Sequence, residues 1–167
     1  MVYMKKSQNL NMEITKATIN DVQLIAEFGR RLNKLHFEFD PQYYIFDEKN
    51  FAYSFGDWLR NQLAIPSSII LVAKENNEVI GFLSGFVKYL FPWFNIKRVG
   101  HISFMFIDER YRRKGVGKQL INYAKDWFKE QGLAYIELYV NERNAQGLTF
   151  WKSMVFADFQ KFLRMRI

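Results

Sequence analysis

The stretch Arg112-Arg113-Lys114-Gly115-Val116-Gly117-Lys118 decides how this chain is read. It lies between an apolar run, residues 99–107, and an amphipathic stretch, residues 118–128. That is the pattern of a strand emptying through a short basic turn into a helix. Backbone N–H groups at a helix start have no intrahelical partner, and the helix dipole adds partial positive charge there. Two glycines let the turn fold tightly. Such a turn aims several donors at one point and suits a phosphate or diphosphate, so a phosphorylated ligand is expected.

Working outward, residues 12–18 alternate apolar and polar and read as a first strand, followed by Asn20 or Asp21 as the cap of a helix whose apolar face holds Val22, Ile25, Phe28 and Leu32. Asp40-Pro41 signals a turn, and helical spacing resumes over residues 47–63 through Phe51, Phe55, Trp58 and Leu59 until Pro66 breaks it. Residues 68–74 and 79–89 read as two antiparallel strands joined by the turn Glu75-Asn76-Asn77-Glu78. An aromatic connector, Phe91-Pro92-Trp93-Phe94, for which core packing is the favoured role, leads to the strand at 99–107. After the basic turn a helix runs to about Gln131 and stops at Gly132. A strand over 134–140, a short helix over 144–154 and a last strand over 156–166 complete the order. The reading is an α/β chain, with a central mixed but mostly antiparallel sheet and helices on both faces.

At 167 residues, with 49% hydrophobic and 25% charged, the chain reads as one domain, residues 1–167, with 1–11 as a flexible lead-in. It lacks an apolar run long enough to span a bilayer and the pattern of a signal peptide, so a cytoplasmic protein without a membrane role is expected. Zero cysteines exclude disulfides, thiolate metal sites and cysteine nucleophiles. Two separated histidines, His36 and His101, give no metal site. The net charge of +7 raises the question of nucleic acid, but five of the 24 basic residues (Arg110, Arg112, Arg113, Lys114, Lys118) crowd into one turn instead of forming a stripe, so a nucleic-acid partner is not expected.

The segment Arg112-x-x-Gly115-x-Gly117 resembles the acyl-CoA diphosphate loop of the GCN5-related N-acetyltransferases. The likeness extends to the preceding Ile107-Asp108-Glu109-Arg110-Tyr111, the following Lys118-Gln119-Leu120, the strand at 136–140, and Asn144 ahead of Phe150-Trp151. It implies a single-domain acetyltransferase fold and acetyl-CoA as co-substrate without a metal. Backbone N–H groups from Arg113 through Lys118, Val116 among them, would hold the diphosphate, with Arg112, Arg113, Lys114 and Lys118 as surrounding charge. Ile107 would pair its backbone with the pantetheine arm, and Asn144 would touch that arm or cap the last helix. The implied reaction is acetyl transfer to a primary amine of a small molecule, peptide or protein, by direct attack in a ternary complex. A homodimer is compatible with the resemblance.

The chain departs from the family where chemistry is concerned. The strand before the loop holds Ser103 and Phe104 where many relatives carry acidic groups, and Trp151 stands where many place a tyrosine acid. Strict alternation places His101, Ser103, Met105 and Ile107 on one face, so His101 as base and Ser103 as a water-holding group are the catalytic candidates. His36 is read as part of a surface turn before Pro41, and Glu109 as an ion-pair partner of its arginine neighbours. With the usual acids missing, a non-catalytic acyl-CoA-binding module is the alternative.

Overall fold

The structure, a computed structural model, describes residues 12–167. The flexible lead-in expected at 1–11 lies outside the described residues. The elements are β1 (Met12–Lys16), α1 (Val22–Phe39), α2 (Glu48–Leu63), β2 (Ser68–Glu75), β3 (Glu78–Tyr89), β4 (Arg98–Ile107), α3 (Val116–Glu130), β5 (Ile136–Leu138) and α4 (Ala145–Ser153). The strands lie in chain order, antiparallel from β1 to β4, with β5 parallel to β4.

Two apolar clusters sandwich this sheet. On one face Val116, Leu120, Ile121 and Phe128 of α3 pack on Leu71, Leu83 and Ile102. On the other Ile25 and Phe28 of α1 and Phe55 and Leu59 of α2 pack on Val72, Phe82 and Phe106. The helical periodicity in the sequence produces these stripes, since residues at i, i+3 and i+4 share one helix face. The β2–β3 turn forms because Asn76 and Asn77 accept φ of 50° and 67°, which a two-residue hairpin turn demands.

The structure departs from three expectations. No strand forms over 156–166, and the tail instead runs along the surface with Phe159, Phe162, Leu163 and Met165 exposed. Arg164 reaches back to Asp40 at 2.7 Å, which ties the tail to the end of α1. The connector residues Phe91, Trp93 and Phe94 are exposed rather than packed in a core. Finally, α1 continues to Phe39, so His36 is helical and half-buried, with its ring 5.1 Å from that of Tyr44.

Candidate active site

The site grows from the end of β4. Asp108 donates its N–H to the Ile80 oxygen at 2.9 Å, and its buried carboxylate caps the next turn by accepting from Arg110 N–H at 3.0 Å. Its side chain also holds Arg110 Nε at 3.0 Å and Arg31 Nη1 of α1 at 3.2 Å. Hydrogen bonding from Arg110, opposed by burial and aided by Arg31, pushes this carboxyl down to about 2. A single turn of 3₁₀ helix, Glu109–Tyr111, then carries the chain to an extended Arg112.

From there the backbone changes hand twice. Arg113 has φ 60° and Gly115 φ 84°, a left-handed position with open space around its missing Cβ. Alternating hand turns successive N–H groups toward one concavity. The first bond into α3 runs from Gln119 N–H to the Gly115 oxygen at 3.1 Å. Among the described residues, the N–H groups of Arg113 through Lys118 donate to no protein acceptor. Val116 is buried in the α3 core and anchors the helix start. Gly117 serves packing, because a Cβ there would stand 2.8 Å from Met105 Cε and 3.0 Å from the Phe150 ring.

The basic residues divide into two groups. Arg110 and Arg112 are tied to the protein: Arg110 by Asp108, and Arg112 by the Ile107 oxygen at 3.0 Å and Glu109 at 3.0 Å. Arg113, Lys114 and Lys118 are exposed, and none of them forms an ion pair among the described residues. The loop thus presents, beside its six N–H groups, three cations without a carboxylate partner among the described residues, of which Lys114 lies over the Tyr111 ring at 5.1 Å.

Beside this cradle the sheet opens. β5 pairs with β4 only through Gly100↔Ile136, His101↔Glu137 and Ile102↔Leu138, leaving residues 103–107 of β4 without a partner on that side. Asn144 caps α4 by accepting from Gly147 N–H at 2.8 Å, so its capping role is realised through Oδ1. Phe150 and Trp151 pack against the α3-side cluster.

A bulge corrects the assignment of faces on β4. Ser84 pairs with Phe104 but Gly85 with Ile102, which leaves Ser103 as the extra residue. His101 therefore turns to the α1/α2 side, opposite Met105 and Ile107. Its half-buried ring lies 5.1 Å from Phe86 and 5.4 Å from Tyr139, with Nδ1 buried and without a hydrogen-bond partner among the described residues. Burial pushes its pKa below the usual 6.5, Lys88 adds to that, and Glu137 opposes it.

Sequence reasoning missed Arg31, Asp108 and Tyr139. Asp108, a capping residue directly after an apolar run, carried a readable signal. Arg31 carried none, being 77 residues from its partner.

The model of the acetyltransferase (GNAT) family matches residues 32–156. An uncharacterized N-acetyltransferase of Methanocaldococcus jannaschii is 28% identical over 161 residues, covering 92% of this chain and 68% of that protein. The tetramutant of the BH1408 protein from Bacillus halodurans superposes with a TM-score of 0.83 at 18% identity, covering 93% of this chain and 99% of the other. A protein from Clostridium acetobutylicum described as a predicted acetyltransferase, solved with acetyl-CoA, gives a TM-score of 0.74 at 20% identity, covering 93% of this chain and 96% of the other. Among the described residues no helix is long and apolar enough to cross a membrane, and no group of three or more His, Asp or Glu is placed to hold a metal ion.

Proposed function

Because the chain belongs to the acetyltransferase (GNAT) family, we propose that it transfers the acetyl group of acetyl-CoA to a primary amine in a ternary complex. The observation that carries this reading is the run of six N–H groups, Arg113 to Lys118, without acceptors among the described residues, around two left-handed residues. These donors and the positive end of α3 fit a diphosphate, and Arg113, Lys114 and Lys118 supply the charge to balance it. The unpaired edge of β4 supplies backbone groups for the pantetheine arm, and Asn144 keeps its Nδ2 donor for the same purpose.

Acetyl-CoA supplies the activated acyl group as a thioester. The amine nitrogen forms the new bond to the acyl carbon, the carbon–sulfur bond breaks, and the proton shed by the acylated nitrogen neutralises the departing thiolate, giving amide and free thiol. An ordinary amine is protonated near neutral pH, so its proton must be accepted before attack. His101 is the one imidazole beside the β4–β5 junction, and burial keeps it neutral and able to accept a proton. Ser103, free of a ladder partner at the bulge, supplies a hydroxyl to hold a relaying water. Ile107 N–H offers a donor to the thioester oxygen. Trp151 can donate a hydrogen bond to the thiolate but not a proton.

The test replaces Gly115 by Asp and by Asn, two residues that tolerate left-handed backbone. Calorimetry is expected to show acetyl-CoA bound by the wild type and weakened far more by the carboxylate than by the isosteric amide. Equal affinity in all three proteins overturns the placement of the diphosphate. Thiol release on a panel of primary amines then separates the transferase from a module that binds acetyl-CoA without turnover.

A further inference from the structure

Ile107 is the last residue of β4, and the ladder decides where its backbone points. Asp108 donates its N–H across to Ile80 on β3. Neighbouring residues in an antiparallel ladder point to alternate edges, so the N–H and C=O of Ile107 face the other way, toward the gap where β5 has ended. The C=O is already taken, because Arg112 Nε donates to it at 3.0 Å.

The rest of that guanidinium is fixed as well. Arg112 Nη2 donates to Glu109 at 3.0 Å, and its central carbon lies 5.4 Å from the centre of the Phe106 ring. Arg31 from α1 also grips Glu109 and lies over Phe106, at 4.9 Å. Two arginines thus share one carboxylate and one ring. Arg112 is held against the strand end by three groups, the Ile107 carbonyl, the Glu109 carboxylate and the Phe106 ring, so its guanidinium is already committed.

We infer that Arg112 is a positioning residue that acts on the acetyl group through Ile107 and is not a ligand of the diphosphate. This rests on the acetyl-CoA reading above. At the edge of β4 the Ile107 N–H and C=O stand side by side. A bare carbonyl there repels the thioester oxygen as negative charge gathers on it, and competes for its place. With the guanidinium on the carbonyl, that edge presents a donor and net positive potential to the acyl oxygen. The same bond pins the strand end, so the N–H keeps its direction.

The experiment separates the acyl end of the donor from its phosphate end. Infrared spectra of acetyl-CoA labelled with carbon-13 at the carbonyl give the polarisation of the thioester without an acceptor. Calorimetry with adenosine 3′-phosphate 5′-diphosphate, the nucleotide half alone, gives phosphate binding. For Arg112→Met the carbonyl band is expected to move back toward its position in free acetyl-CoA, while the nucleotide Kd changes by less than about threefold. Glu109→Gln, which loosens the guanidinium but keeps its charge, shifts the band in the same direction and serves where Arg112→Met does not fold. An unmoved band in the folded variant overturns the inference, and so does a nucleotide Kd raised by about tenfold or more, which makes Arg112 a phosphate ligand. A wild type that binds no acetyl-CoA defeats the donor reading itself, a distinct result.

Discussion

Arg31 on α1 and Asp108 at the end of β4, 77 residues apart in sequence, meet with Nη1 3.2 Å from Oδ2. The carboxylate is buried and the guanidinium half-exposed, so the pair fastens the α1 side of the sheet to the turn that leads into α3. Breaking one member of a buried pair leaves the other charge without compensation, which is costly.

Asp108→Asn is therefore expected to destabilise the fold, and the loss depends on pH. The carboxyl sits at about 2 in the folded chain against 3.8 for an ordinary aspartate. Because the folded state holds this group ionised, its contribution of about 2 kcal/mol is present above pH 4 and disappears as pH falls toward 2. Urea unfolding of both proteins at pH 7 and pH 3 checks this: the gap between them narrows at the lower pH. A gap that stays constant means the ion pairs contribute nothing to stability.

The division among the basic residues gives a second expectation. Replacing Arg113, Lys114 or Lys118 by Gln weakens acetyl-CoA binding by roughly threefold to tenfold each, with a smaller effect at high salt. Arg110→Gln leaves affinity unchanged, since that side chain already serves Asp108. Calorimetry at two ionic strengths decides. Repeating it with dephospho-CoA identifies the cation that meets the 3′-phosphate, because its substitution then has no effect.

Much of the fold could be read because the signals were local. Paired asparagines mark the β2–β3 turn, Asp47 caps α2, and Gly132 with φ 73° ends α3. The turn into α3 could be read for the same reason, since its glycines and cations were contiguous. The faces of β4 could not, because the bulge that turns His101 away from Met105 is a property of two strands together. Gly85 and Gly100 were its only hint. Periodicity failed in the tail, where apolar residues at 159, 162, 163 and 165 break the period of two and Arg164 prefers Asp40. Arg31 and Arg112 show a further limit, since a charge count cannot say which cations the protein itself consumes.

Gly100 offers a test of packing alone. A Cβ at this position would stand 2.7 to 2.9 Å from the ring of Phe128, a residue 1% exposed at the centre of the α3 core. A ring fixed on all sides cannot retreat, so Gly100→Ala is expected to cost about 1–3 kcal/mol. Chemical denaturation reports it. Because β4 carries both Gly100 and Ile107, a crystal structure of the variant would also show whether pressure at one end of the strand moves the other. No loss of stability means that α3 can shift as a body.

His101 carries the last and most mechanistic expectation. Its charged form is disfavoured by burial and by Lys88, while Glu137, its partner across the β4–β5 pair, favours it. Lys88→Met is therefore expected to raise the His101 pKa toward 6.5 and Glu137→Gln to lower it further, as proton NMR of the imidazole would record. The lowered value means that the unfolded chain binds more protons below pH 6.5, so the neutral ring's contribution to stability is lost as pH falls from there through the folded pKa. If His101 accepts the amine proton, kcat/KM falls on the acid side along the same titration. Lys88→Met moves that limb to higher pH, and His101→Gln removes it while lowering kcat by about a hundredfold. A limb that survives His101→Gln unchanged assigns the proton to another group. The neighbouring Tyr139, 5.4 Å from the imidazole ring and 72% exposed, is then the side chain to test next, by Tyr139→Phe.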